Sequence, residues 1–211
     1  MNKELSCAEY TQAFAFLGNS LLATMRQTGD AGLKPEFWAA FPDFGSAAVE
    51  EALEGCFAWA QDAAQRAAEG ADVLTDVCVE YTRLFVGPPS PAAAPWESFY
   101  VVEGNTVGFG EPTFQMQEAL RAAGLQVSNE NNQYADHIGI ELLYASVICE
   151  RLAQADGDAE AQEELAEKLK GFAQNHPLAW IGKLQVAVAS VEPAGYIAAL
   201  LELGRALLSS I

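Results

Sequence analysis

The sequence predicts an all-α fold: one domain over residues 1–211, a bundle of about ten helices with one proline-rich, ordered loop. Three observations carry this. Apolar residues recur three and four positions apart along most of the chain, while the strict alternation of half-buried strands is scarce. Cap and breaker residues punctuate those runs at helical lengths. Proline concentrates in one place, where Gly87, Pro88, Pro89, Ser90, Pro91 and Pro95 cannot form a helix interior, because proline lacks the amide donor and clashes with the preceding turn.

The first helix is expected from a Ser6–Glu9 capping box to about Gln27, with Phe14, Leu17, Leu21 and Met25 as its stripe. Pro35 opens a short helix carrying Phe37 and Trp38, which Pro42 stops. Ser46 starts a helix to about Glu69 with the stripe Val49, Leu53, Phe57, Ala60 and Ala64, and Asp72 caps the next, to about Phe85. Trp96, Phe99 and Tyr100 follow the prolines at once and need burial, so the loop is expected to pack down, with Ser98 as a helix cap. Pro112 opens a helix that Gly124 ends. A long helix is expected from about Asn132 to Ala155, another over 159–174, and two more opened by Pro177 and Pro193. No repeat of solenoid period is present.

The chain carries 29 acidic against 11 basic side chains, a net charge of −18. Such a surface makes nucleic acid a poor partner, since phosphate binding needs Lys and Arg, and suits a basic peptide. The four cysteines, Cys7, Cys56, Cys78 and Cys149, are scattered, as buried free thiols would be. No apolar run reaches the ~18 residues of a membrane span. Met1 to Glu9 lacks a basic segment followed by an apolar one, so the cytoplasm is the expected location.

Two stretches could carry chemistry. In Asp136-His137-Ile-Gly-Ile-Glu141, His137 and Glu141 lie four apart and share a helix face. A metal- or nucleotide-dependent small-molecule enzyme using Asp136, His137 and Glu141 is one reading. It lacks ligands, because the only other histidine, His176, sits before Pro177 near another helix start, and a catalytic zinc site uses three protein ligands. A satisfied polar core at a helix start is a second reading, and a polar hot spot in a peptide groove a third. The other stretch, Pro95-Trp96-Glu97-Ser98, reads as core aromatics under a tight loop or as a rigid recognition surface on which Glu97 could pair with an arginine. A nucleophile elbow, a phosphate-binding loop and a dinucleotide fingerprint are all missing. A general acidic helical adaptor remains open beside these readings.

At these residues the chain resembles the TorD/DmsD family of redox-enzyme maturation chaperones, related to the NarJ group. The resemblance rests on Leu84, Phe85, Gly87 and Pro88, then Pro95, Trp96, Glu97, Ser98 and Tyr100. It continues through Gly108, Thr113, Gly124 and Leu125, the run Asp136, His137, Ile138, Glu141 and Leu142, and finally Phe172, His176 and Trp180, so it spans about residues 80–182. Gln133 and Tyr134 depart from the Glu-Pro often found before the Asp. The resemblance implies a cytoplasmic, non-enzymatic chaperone without cofactor or metal. It would bind the twin-arginine signal peptide and apo catalytic subunit of a molybdenum-cofactor oxidoreductase, assist cofactor insertion and delay export. It would touch the export machinery only transiently, without stable membrane insertion. It names Leu84, Phe85, Pro95, Trp96, Glu97, Ser98, Tyr100, Asp136, His137 and Glu141 as peptide-binding or groove residues.

Overall fold

Periodic apolar stripes with caps at their ends give helices, and in the computed structural model, which describes residues 7–127 and 132–211, helices are the dominant element. Among the described residues the α-helices are α1 (Cys7–Leu22), α2 (Met25–Thr28), α3 (Pro35–Ala39), α4 (Ala47–Ala68), α5 (Val73–Phe85), α6 (Glu97–Val101), α7 (Glu111–Ala122), α8 (Ile138–Gln154), α9 (Ala159–Asn175), α10 (Pro177–Ala189) and α11 (Tyr196–Ser209). A single 3-10 turn, Ala31–Leu33, precedes α3. No helix among them is long and apolar enough to cross a membrane.

Several ends form as the sequence dictates. Asp72 accepts the Thr75 amide at the start of α5, and Pro35 and Pro177 occupy the first positions of α3 and α10. Other boundaries differ. The first helix breaks after Leu22, and residues 25–28 form a separate turn. The last helix begins at Tyr196, where both carboxylate oxygens of Glu80 on α5 accept the Tyr196 and Ile197 amides at 3.1 and 2.8 Å. The α4 stripe runs through Cys56 and Ala63 instead of Phe57 and Ala64, so the buried face is rotated by a fraction of a turn towards the side of Val49 and Ala60 that Cys56 and Ala63 share. Ser6, expected to cap α1, lies outside the described residues.

The core is one continuous apolar cluster to which α1, α4, α5, α8, α10 and α11 all contribute. Its centre is the crossing of α1 and α8. There Gly18 and Gly139 face each other so closely that a Cβ on Gly139 would stand 2.6 Å from the Gly18 carbonyl oxygen. Only glycine permits that approach, and it lets Leu17, Leu21 and Leu142 become fully buried beside it. The four thiols are free, and burial pushes those of Cys56 and Cys149 up to about 12, so both act as small apolar side chains.

Candidate functional site at the junction of the proline-rich loop and α8

The prolines keep residues 87–95 out of a helix, and the segment bends at 88–90 and 92–93 and pins to what it crosses. Ala92 and Ala93 donate to the carbonyls of Arg83 and Leu84 at the end of α5. Two further backbone bonds, Glu97 N to Asp136 O and Ile138 N to Pro95 O, both 2.9 Å, pair Trp96 with His137 in an antiparallel bridge. This bridge corrects the expected start of the long helix. Residues 132–137 are not helical, and α8 begins at Ile138 with His137 as its N-cap.

The bridge sets Asp136 over the first turn of α6. The carboxylate, fully buried, accepts the Ser98 amide and the Thr113 hydroxyl, each at 2.9 Å. The Thr113 hydroxyl in turn accepts the Gly110 amide at 3.2 Å. One side chain thereby ties together the starts of α6 and α7 and the strap before α8. The expectation that Ser98 caps a helix is corrected: Trp96 holds the N-cap position of α6 without a side-chain capping bond, Asp136 supplies the acceptor from a distance, and the buried Ser98 hydroxyl has no hydrogen-bond partner among the described residues.

His137 is fully buried, with the Phe85 ring edge-on at 6.2 Å. Its Nδ1 accepts the Gly139 amide at 3.0 Å, so the neutral ring carries its proton on Nε2. Burial disfavours the cation and lowers the pKa from 6.5 to about 3. As pH falls below 6.5 the unfolded imidazole takes a proton that the folded one refuses, so stability present above 6.5 is lost at about 1.4 kcal/mol per pH unit. His137→Asn retains an N-cap acceptor. Its stability, measured by urea denaturation from neutral pH downward, is expected to fall less steeply than that of the natural protein between pH 6.5 and about 3.

One turn along α8, the fully buried Glu141 accepts the Trp180 indole at 3.1 Å. Trp180 stacks on Tyr100 of α6 with ring centroids 5.5 Å apart. Glu97, also buried, meets His176 Nδ1 at 2.9 Å, and His176 stacks on Phe172. Burial first, and then the neighbouring Glu97 charge, holds the Glu141 carboxyl well above the ordinary carboxylate range. One donor atom each from Glu97, Glu141 and His176 lies within 4.8 Å of the other two. Those three could hold a metal. The trio Asp136, His137 and Glu141 divides its bonds otherwise, with Asp136 on α6 and α7 and His137 on its own helix.

The surface over this network is aromatic. Trp96 is half-buried, its indole donating to Gln133 at 3.2 Å and its ring packed on Gly108. Gly108 has φ 65°, and a Cβ there would stand 2.4 Å from the indole, so glycine is required on both counts. Tyr134 lies edge-on to Trp96 at 5.8 Å and 5.3 Å from Phe109, which in turn meets Phe114 at 5.2 Å. Phe109, Phe114 and Tyr134 are 41%, 52% and 40% exposed, an unusual concentration of ring surface in water. Beside them runs a groove of about 610 Å³ walled by Phe109, Leu120, Arg121, Leu125, Gln133 and Tyr134. A larger cavity of about 950 Å³ lies elsewhere, between α4 and α11, with walls mainly of Ala and Gly and no motif residue in them.

Of the ten residues singled out in sequence, Leu84, Phe85, Pro95, Glu97, Ser98, Asp136, His137 and Glu141 are buried here, and Trp96 and Tyr100 are half-buried. All ten lie in or against one network. Residue-by-residue reasoning missed that Thr113, His176 and Trp180 are partners within it, although the family resemblance had marked all three. It also missed Phe109 and Phe114, whose exposure no local pattern announces.

The family model for the nitrate reductase delta subunit matches residues 31–185. The chain is 25% identical over 135 residues to the chaperone protein TorD of Vibrio vulnificus, covering 64% of this chain and 62% of that protein. It is 33% identical over 86 residues to the Tat proofreading chaperone DmsD of Salmonella typhimurium, covering 41% and 40%. The chain thus spans less than two thirds of the length of these relatives. It belongs to the nitrate reductase delta subunit family, with the TorD/DmsD chaperones that its Pro-Trp-Glu-Ser and Asp-His motifs resemble.

Proposed function

We propose that this chain is a single-domain cytoplasmic chaperone. It binds the twin-arginine signal peptide and the apo form of a molybdenum-cofactor oxidoreductase subunit, assists cofactor insertion and delays export. It acts by binding, without a reaction of its own. The observation that carries this reading is the exposed aromatic rim of Phe109, Phe114 and Tyr134 along the groove, held rigid by the buried Asp136 network. A twin-arginine signal peptide has a basic end and an apolar middle. The −18 charge draws the first, and the aromatic groove suits the second. In this reading Trp96 and Tyr100 flank the bound peptide, and the eight buried motif residues fix the shape that receives it.

The test is calorimetric titration with a synthetic twin-arginine signal peptide of a molybdoenzyme subunit. Saturable binding that weakens with salt is expected. Phe109→Ala combined with Tyr134→Ala should raise Kd by about tenfold or more, the scale of losing aromatic anchors at an interface. If the natural chain binds neither signal peptides nor apo subunits of molybdoenzymes, the proposal fails.

A further inference from the structure

Beneath the aromatic surface, the cluster of Glu97, Glu141 and His176 is richer in donors than the peptide reading uses. Each comes from a different rigid element: the first residue of α6, the first turn of α8, and the junction of α9 and α10. One carboxylate oxygen from each glutamate and one imidazole nitrogen lie within 4.8 Å of one another. Among the described residues, neither carboxylate is paired with lysine or arginine; the His176 imidazole stands 2.9 Å from Glu97. A second observation points into the cluster. Glu141 is fully buried, and while its Oε2 takes the Trp180 proton, its Oε1 has no hydrogen-bond partner. Buried polar atoms are nearly always satisfied, so an unpartnered carboxyl oxygen beside a second carboxyl marks a place for a positive species, either a proton shared with Glu97 or a bound cation in its place.

We propose that Glu97, Glu141 and His176 form a binding site for a divalent transition-metal ion, with Zn²⁺ as its natural probe. Two carboxylate oxygens neutralise the charge of the ion, and one imidazole nitrogen turns the preference from Mg²⁺ and Ca²⁺, which favour all-oxygen sets, towards Zn²⁺. Zinc donors sit about 2.0–2.2 Å from the ion at tetrahedral angles, so neighbouring donors stand about 3.4 Å apart. The three atoms lie within 4.8 Å of one another, and side-chain rotations that draw them together complete the set. Access is from the His176 side, where the side chain is 16% exposed against 5% for Glu97. The Trp180 indole orients one glutamate from outside the donor set, as outer partners of metal ligands do. The bound ion would clamp α6, α8 and α10 from within. The aromatic groove takes no part, so this proposal and the peptide reading stand or fall separately.

The experiment is titration of the full chain, stripped with chelator, with Zn²⁺ by calorimetry. One equivalent is expected to bind. Glu141→Gln and His176→Gln should each weaken binding by about tenfold or more, while Glu202→Gln, by the larger cavity on α11, should leave it unchanged. Far-UV circular dichroism confirms that each variant is helical. Zinc-edge X-ray absorption of the loaded natural protein needs no variant. It should show an oxygen and nitrogen shell at about 2.0–2.2 Å with outer scattering from one imidazole. Absence of stoichiometric binding overturns the proposal. So does unchanged affinity in the two folded variants, which would mean the acidic surface holds the ion, and so does a spectrum without imidazole scattering.

Discussion

Replacing Asp136 with alanine is expected to cost about 3–6 kcal/mol of stability, because two hydrogen bonds to a buried carboxylate, each worth about 1.5–3 kcal/mol, are lost together. The Ser98 amide and the Thr113 hydroxyl would be left as buried donors without an acceptor. For a chain of this length the melting temperature should drop by roughly 10 °C, and urea denaturation followed by far-UV circular dichroism would give the free energy directly. Asp136→Asn is the informative companion. Its amide oxygen can still accept the Ser98 amide, and the Thr113 hydroxyl can turn to accept from the new NH₂ group. It should therefore recover a large part of the loss. If alanine costs no more than asparagine, Asp136 is not the tie between α6, α7 and α8 that its bonds describe.

Trp180→Ala should have an effect of similar size for a different reason. The side chain is 1% exposed, and removing it opens a cavity in the core, which for Trp→Ala costs about 3–5 kcal/mol. Trp180→Phe separates packing from polarity. A phenyl ring can keep the stack on Tyr100 but removes the indole donor to Glu141, so a smaller cost of about 1–2 kcal/mol is expected. Thermal melts of the three proteins should rank natural, Phe and Ala in that order. Equal melting of the Phe and Ala variants would mean that the Glu141 bond, not the packed ring, carries the contribution.

The helices were legible because their signals are local. The stripe of α1, the Asp72 cap and the prolines opening α3 and α10 depend only on neighbours three or four positions away. The start of α8 was not, because nothing in Asn132 to Asp136 forbids a helix. What holds that segment extended is Pro95 and Glu97, some forty positions back in the chain. Ser98 failed as a cap for the same reason, since Asp136 brings the acceptor from outside the local sequence. The candidate site divides in the same way. Its residue types were visible as motifs, but the meeting of Glu97 with His176, 79 residues apart, is a product of how α6 and α10 pack. A metal site on Asp136, His137 and Glu141 lacks a further ligand in the sequence, and the fold brings a different set together, with His176 beside Glu97 and Glu141.

The two backbone bonds between Pro95–Glu97 and Asp136–Ile138 also close the base of a long excursion that holds α6, α7 and the aromatic groove. A loop fastened at its neck tolerates growth cheaply: doubling the enclosed length adds only about 0.6 kcal/mol of closure entropy. Its exposed turns can therefore change in length and side chains while the α1–α8 crossing and the Asp136 knot stay as they are. What cannot vary is the inner side of the excursion, where Tyr100 stacks on Trp180 and Met116 enters the core.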